Sequence, residues 1–228
     1  MAVWEAFLTE DDRKVMAARK PRKPTGPGTK VGLLVIDMQH TAMGHDKPIW
    51  EQLDEFSGAC GPHAWKAVPH QQKLLAAARA AGMPVIYSKH VFHPHTGLPA
   101  SEPDNNFSSK NARSEVPAEV AMEAGDILIE KQTPSCFAFT NLPLVLNHLG
   151  LDGLLVVGNS TSGCVRATCV DGRAHGYKMS VVEEGCFDRI ELSHAAAIFD
   201  MEFKICDVID MDRALEIIGD GEAKAKAA

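Results

Sequence analysis

The sequence predicts an α/β protein, three layers deep (α/β/α), built around a mainly parallel, six-stranded Rossmann-like sheet. Three observations predict it. Short, uniformly apolar runs alternate with helix-patterned segments along most of the chain. Those runs lack the in–out alternation of a half-solvated strand, as expected when helices cover both faces of a parallel sheet. Two long excursions, 40–68 and 90–125, leave what would be the carboxyl ends of strands, where such sheets place their ligands. With 228 residues, 45% of them apolar and 23% charged, the chain can bury a sizeable core without staples. That composition excludes a disordered chain, a collagen-like fibre and a disulfide-framed miniprotein.

The elements follow in order. Residues 9–20 read as a short surface helix, with Thr9 as N-cap and Asp12 in the place of the capping-box acid. The stretch 21–30, rich in proline and glycine, reads as a linker, so 1–29 is a helix plus linker and 30–228 the compact domain. Val31–Asp37 is the first strand. A helix is expected over 69–82, closed by Gly82, then strands over Met83–Ser88 and Asp126–Ile129. Residues 141–150 form a helix between Asn141 and Gly150, and Gly153–Gly158 the fourth strand. A helix over 163–176, a strand over Tyr177–Glu183, a helix over 193–203, a strand over Ile205–Ile209 and a helix over 211–218 complete the set, with 219–228 frayed.

The charge balance, 23 − 30 = −7, argues against a nucleic-acid surface. No apolar run is long enough to span a membrane, so none is expected as a partner. The N-terminus carries acids where a signal peptide needs a basic region, and the expected location is cytoplasmic. None of Cys60, Cys136, Cys164, Cys169, Cys186 and Cys206 forms a CxxC, and a reducing compartment would keep them as thiols.

The strand ends carry the chemistry. Asp37 closes the first strand, in VGLLVIDMQ, at the rim of the sheet. The bland reading is a strand terminator. Lys131 follows the third strand, and matters only if an acid or a nucleophile lies beside it. The fourth strand runs into GNSTSGCV. Gly158 and Gly163 supply half of a phosphate loop, but Cys164 and Val165 stand where the lysine and hydroxyl are required, and the turn has no G-x-G. What the turn does supply is Cys164 in the first turn of a helix, where backbone N–H groups and the dipole favour a thiolate and can hold an oxyanion. The bland reading is a buried thiol. Cys169 lies off that face, in the core. An acid, a lysine and a cysteine at neighbouring strand ends could converge as an acyl-transfer site working through a thioester.

These three stretches resemble the isochorismatase-like cysteine hydrolase family, in its N-carbamoylsarcosine amidase branch, over about residues 30–210. The family's catalytic aspartate matches Asp37 in VIDMQ, its lysine matches Lys131 in IEKQTPSCFAFTNL, and its nucleophile motif G-x-x-T-x-x-C-V matches Gly158, Thr161, Cys164 and Val165. The resemblance implies a non-proline cis peptide, carried over to Asn159–Ser160, that aims the Ser160 N–H beside that of Cys164 as the oxyanion hole. It also implies that Arg189, in an Asp-Arg pair, is the substrate-carboxylate arginine. A surface arginine is the alternative. Thr161, Phe137 and Trp65 are further substrate-binding candidates. Trp50, Phe56 and Trp65 form either a pocket wall or the loop's own small core.

Departures narrow the reading. Isochorismatases proper lack the cysteine. Nicotinamidases carry an Asp-x-His-x-x-x-His metal motif after the second strand, whereas this chain has SKHVFHPHTG, with Val91 in the place of the acid. His90, His93 and His95 then border the pocket mouth, and no metal or other cofactor is expected. The expectation is a cysteine amidohydrolase acting on a small carboxylate-bearing amide or ureido compound. The alternatives are a maleamate-type hydrolase or a non-catalytic binding protein on the same scaffold. A catalytic Cys164 would alkylate well below the usual thiol pKa of about 8.5. The resemblance further implies a homo-oligomer, dimer or tetramer.

Overall fold

The computed structural model describes residues 2–92 and 112–227. In chain order it contains α1 (Glu10–Ala18), β1 (Val31–Ile36), α2 (His40–Met43), α3 (Pro62–Ala80), β2 (Val85–His90), β3 (Ile127–Lys131), α4 (Leu142–Leu149) and β4 (Gly153–Gly158). A π-helical turn over Thr161–Val165 leads into α5 (Arg166–Ala174), followed by β5 (Lys178–Cys186) and α6 (Glu191–Asp200). A second π turn, Met201–Ile205, precedes β6 (Asp207–Ile209) and α7 (Met211–Ala227).

The six strands lie in the order β3-β2-β1-β4-β5-β6 and every neighbouring pair is parallel. The three-layer expectation therefore holds. Successive side chains of a strand point to opposite faces, and here both faces are covered. Leu33 and Val35 pack with Leu155 and Val157 against α3 and α7. Leu34 and Ile36 pack with Leu154 and Val156 against α4, α5 and α6. Each such leucine is fully buried, which contributes about 1.5–3 kcal/mol. The strand order reverses direction between β1 and β4, the topological switch point of the sheet. Ile36 pairs with Gly158 there. Asp37 and the turn before Cys164 therefore leave adjacent strands at the same end.

Several boundaries differ from the sequence reading. α3 begins at Pro62 rather than Pro69. Either proline can open a helix, but Pro62 takes the first turn, and Pro69 falls on the exposed side, where water can reach the carbonyl it leaves free. α7 runs on to Ala227 instead of fraying after 218, because EAKAKA is strongly helix-forming. β5 extends to Cys186, past a register shift opposite Val156 and Gly158. β6 is shorter than expected, its first two residues being taken up by the end of the π turn and Cys206.

The expected capping box of α1 is present: the Asp12 N–H donates to Thr9 Oγ1 and the Thr9 N–H to Asp12 Oδ2. No α1 residue is buried. The stretch after it is bound to the sheet. Asp207 accepts from the Arg22 guanidinium and from the Thr25 and Gly26 N–H groups, and Asp152 from those of Thr29 and Lys30. Among the described residues no helix is long and apolar enough to cross a membrane.

Candidate active site

Asp37, one residue beyond β1, has φ 50°, the left-handed region that few side chains other than Asn and Asp enter. Three bonds hold it there. Its N–H faces the Ser88 carbonyl at 3.1 Å and the Ser88 hydroxyl at 3.2 Å, and Asn159 Nδ2 donates to its carbonyl at 2.6 Å. Ser88 Oγ in turn donates to Asp37 Oδ1 at 2.7 Å. The carboxylate is thus aimed by β2 on one side and by the turn after β4 on the other.

Lys131 is the last residue of β3 rather than the first beyond it. Its side chain is fully buried. The ammonium lies 2.5 Å from Asp37 Oδ2, 3.3 Å from Cys164 Sγ and 3.2 Å from the Thr133 carbonyl. Burial works against its charge, but the neighbouring Asp37 and Cys164 outweigh that and hold its pKa above the ordinary lysine value. The acid, the lysine and the cysteine, distant in sequence, therefore form one contiguous cluster.

Cys164 sits inside the π turn, partly exposed, while the other five free cysteines are buried. Burial of the sulfur and the adjacent Asp37 carboxylate push its pKa up, and Lys131 offsets only part of this. Helix-start amides favour the anion, but desolvation and a carboxylate beside the sulfur favour the thiol. The peptide Asn159–Ser160 is cis. Gly158, with φ 113°, precedes it, and a Cβ there would lie 2.1 Å from the Ile36 carbonyl oxygen, so only glycine fits the crossing of β1 and β4. The amides of Gly163 and Val165 both return to the Ser160 carbonyl.

Of the other predicted residues, Arg189, Phe137 and Trp65 make their contacts away from this cluster. Arg189 is exposed, and its Nη2 donates to the Gly58 carbonyl at 2.8 Å. Cys60 lies buried beside that guanidinium, its thiol pushed up to about 12 by burial, with Arg189 drawing it down. Thr161 is fully buried, and its hydroxyl pairs with His194 Nδ1 at 2.8 Å. Phe137 stacks on His175 and packs over Tyr177 in the core. Trp65, half-buried on α3, donates from Nε1 to the Gly44 carbonyl. Phe56 is buried beneath His45 and Arg113, whereas Trp50 is 77% exposed, so the excursion after α2 builds its own small core. Burial, then the Lys131 charge, lower the His90 pKa. His93 and His95 lie outside the described residues. Among the described residues no three His, Cys, Asp or Glu groups gather as metal ligands.

Sequence reasoning missed Ser88 and His194, and it named Asn159 in the cis peptide and Asp188 in the Asp-Arg pair without the bonds they make. A serine inside the otherwise apolar run PVIYS was the legible signal for Ser88, since a buried hydroxyl needs a partner. A cavity of about 480 Å³ between α3, the end of β5 and α6 includes Asp188 and His194 but none of Asp37, Lys131 and Cys164 in its lining. The cluster of Asp37, Lys131 and Cys164, not this cavity, brings an acid, an ammonium and a thiol together.

A parallel sheet with a cysteine, an acid and a lysine gathered at its switch point defines a class of α/β enzyme-like folds, and comparison with known proteins gives the family. Residues 31–213 match the isochorismatase domain, and the chain belongs to the isochorismatase family. It is 29% identical over 197 residues to the maleamate amidohydrolase of Pseudomonas putida, covering 84% of this chain and 88% of the relative. It is 29% identical over 225 residues to an N-carbamoylsarcosine amidase from Arthrobacter, covering 94% of this chain and 80% of the relative. The crystal structure of an N-carbamoylsarcosine amidase from Thermoplasma acidophilum superimposes with a TM-score of 0.62 at 26% identity, covering 81% of this chain and 98% of the other.

Proposed function

We propose that the protein is a cysteine amidohydrolase that cleaves a small carboxylate-bearing amide or ureido compound, similar to N-carbamoylsarcosine amidase, and releases ammonia. The observation that carries this reading is the placement of one buried ammonium, Lys131, against both Asp37 and Cys164. Burial and the Asp37 charge favour the thiol form of Cys164, and Asp37 is the carboxylate placed beside it to take its proton as it attacks. Asp37 takes the thiol proton as sulfur adds to the substrate carbonyl. The Ser160 and Cys164 amides hold the resulting oxyanion. Asp37 then gives the proton to the departing nitrogen, leaving a thioester and ammonia. Water, deprotonated by Asp37, cleaves the thioester and restores the thiol. Lys131 stays charged throughout and holds the Asp37 carboxylate in an ion pair between steps. The scheme calls on no metal or cofactor.

Arg189 supports the carboxylate. It has no acidic partner within ion-pair distance among the described residues, and a guanidinium in that state suits a bidentate anion. Both carbamoyl amino acids and half-amides such as maleamate offer one, and the two amidohydrolase relatives act on such compounds by their names.

The test is ammonia release from N-carbamoylsarcosine, other carbamoyl amino acids, maleamate, nicotinamide and biuret, with Cys164→Ala in parallel. Release from a carboxylated member that vanishes in the variant is the expected result. Silence of the folded protein across the panel would favour a binding protein on this scaffold. Arg189→Ala should raise KM for carboxylated substrates and leave kcat within a few fold.

A further inference from the structure

The turn that carries Cys164 and the chain that carries Arg189 run side by side. The Phe187 N–H donates to the Gly158 carbonyl at 3.2 Å, and the Thr161 N–H to the Phe187 carbonyl at 3.0 Å. Asp188 continues this pairing with its side chain. Its Oδ2 accepts from the Ser162 N–H at 2.8 Å and from the Ser162 hydroxyl at 2.7 Å, while Oδ1 accepts from the Arg189 N–H at 2.9 Å. Asp188 as a residue is 7% exposed. Ser162 N–H is one of the amides that a helix start leaves without an internal acceptor, so a carboxylate from another segment caps the nucleophile turn. Charge-assisted bonds of this kind are about twice as strong as neutral ones.

We infer that Asp188 is a positioning residue that sets the Cys164 turn against the chain carrying Arg189, its Oδ2 holding Ser162 of that turn while Oδ1, on the Arg189 N–H, fixes its own orientation. The inference rests on the reading of Cys164 as nucleophile and Arg189 as carboxylate binder. It adds that the site selects substrates by the spacing between the scissile carbonyl and the carboxylate. Nothing in the pairing of backbone groups can be altered by substitution, whereas the two arms of Asp188 can.

Alkylation of Cys164 by iodoacetamide and by iodoacetate, measured by mass spectrometry on the whole protein, tests this without knowledge of the substrate. Iodoacetate carries the carboxylate that Arg189 would guide, so the ratio of the two rates reads the register. In Asp188→Ala, iodoacetamide labelling should slow about tenfold, as expected for a small misplacement of a reacting atom, and iodoacetate labelling should slow further. Asp188→Asn keeps one acceptor and should recover part of the loss. Ser162→Ala removes only the hydroxyl arm and should slow both reagents alike, by less. Folded Asp188 variants that label at parent rates with an unchanged ratio would overturn the inference. So would losses that merely track lowered thermal stability and leave the ratio unmoved. If Asp188→Ala does not fold, Asp188→Asn and Ser162→Ala decide. A parent whose labelling survives Cys164→Ala unchanged would remove the nucleophile itself, and the positioning role with it.

Discussion

At the scale of single residues, Asp37 has two opposed effects on Cys164. Its charge raises the thiol pKa, while in the proposed mechanism it is also the base that takes the thiol proton. Replacing it separates the two. In Asp37→Asn the thiol pKa should fall, since a carboxylate is removed and Lys131 stays, so iodoacetamide labelling near pH 7 should quicken. Amide hydrolysis should drop by roughly 10²–10⁴-fold, the usual contribution of a general base. Labelling and turnover moving in the same direction would show that Asp37 has only one of these roles. Gly158 is as demanding for geometric reasons: a Cβ there meets backbone, which cannot rotate aside as a side chain can.

At the scale of elements, the stretch between α1 and β1 belongs to the sheet's edge. Asp207, at the start of β6, is 7% exposed and gathers the Arg22 guanidinium with two backbone N–H groups. Removing it leaves a partly buried guanidinium and two amides without their acceptor. Asp207→Ala should cost roughly 3–5 kcal/mol by analogy with other broken buried pairs. Limited proteolysis should then cut first within 21–30. Unaltered stability and cleavage elsewhere would mean that the segment rides on the sheet without holding it. The linker reading of 21–30 came from proline and glycine alone. Those residues do break regular structure, but an extended chain can still be pinned by side chains far along the sequence, here Asp152 and Asp207. The start of α3 was misplaced for a related reason, because two prolines competed for one helix start and only packing selected Pro62.

At the scale of the whole molecule, two partly buried histidines tie stability to pH. Burial lowers the pKa of His194 from its ordinary 6.5, helped by His63 and opposed by Asp188. Burial also lowers that of His90, helped by Lys131 and opposed by Asp37. The folded protein therefore binds fewer protons than the unfolded chain near pH 6. Their stabilisation is complete above the unfolded value and is lost as pH falls through the lowered ones. The urea midpoint should drop between pH 7 and 5.5. His194→Gln, which keeps an acceptor for Thr161, should flatten that drop. A slope identical to the parent's would exclude His194 as a contributor.

By itself the sequence determined the fold class and the three residues that meet at the switch point. Strand periodicity is a local property, and both-face burial follows from a run being apolar throughout. Asp37, Lys131 and Cys164 were legible because each ends or follows such a run, and parallel strands bring their ends to one edge. Only the tertiary structure decided what those ends do to one another. Whether the Cys164 sulfur rests as thiol or thiolate depends on desolvation and on charges at a few ångströms, which no spacing in the sequence encodes. The same holds for Ser88 and Asn159, which orient Asp37, and for Asp188, which holds the turn. Their partners lie tens of residues away, and a hydrogen bond is set by distance and direction in space.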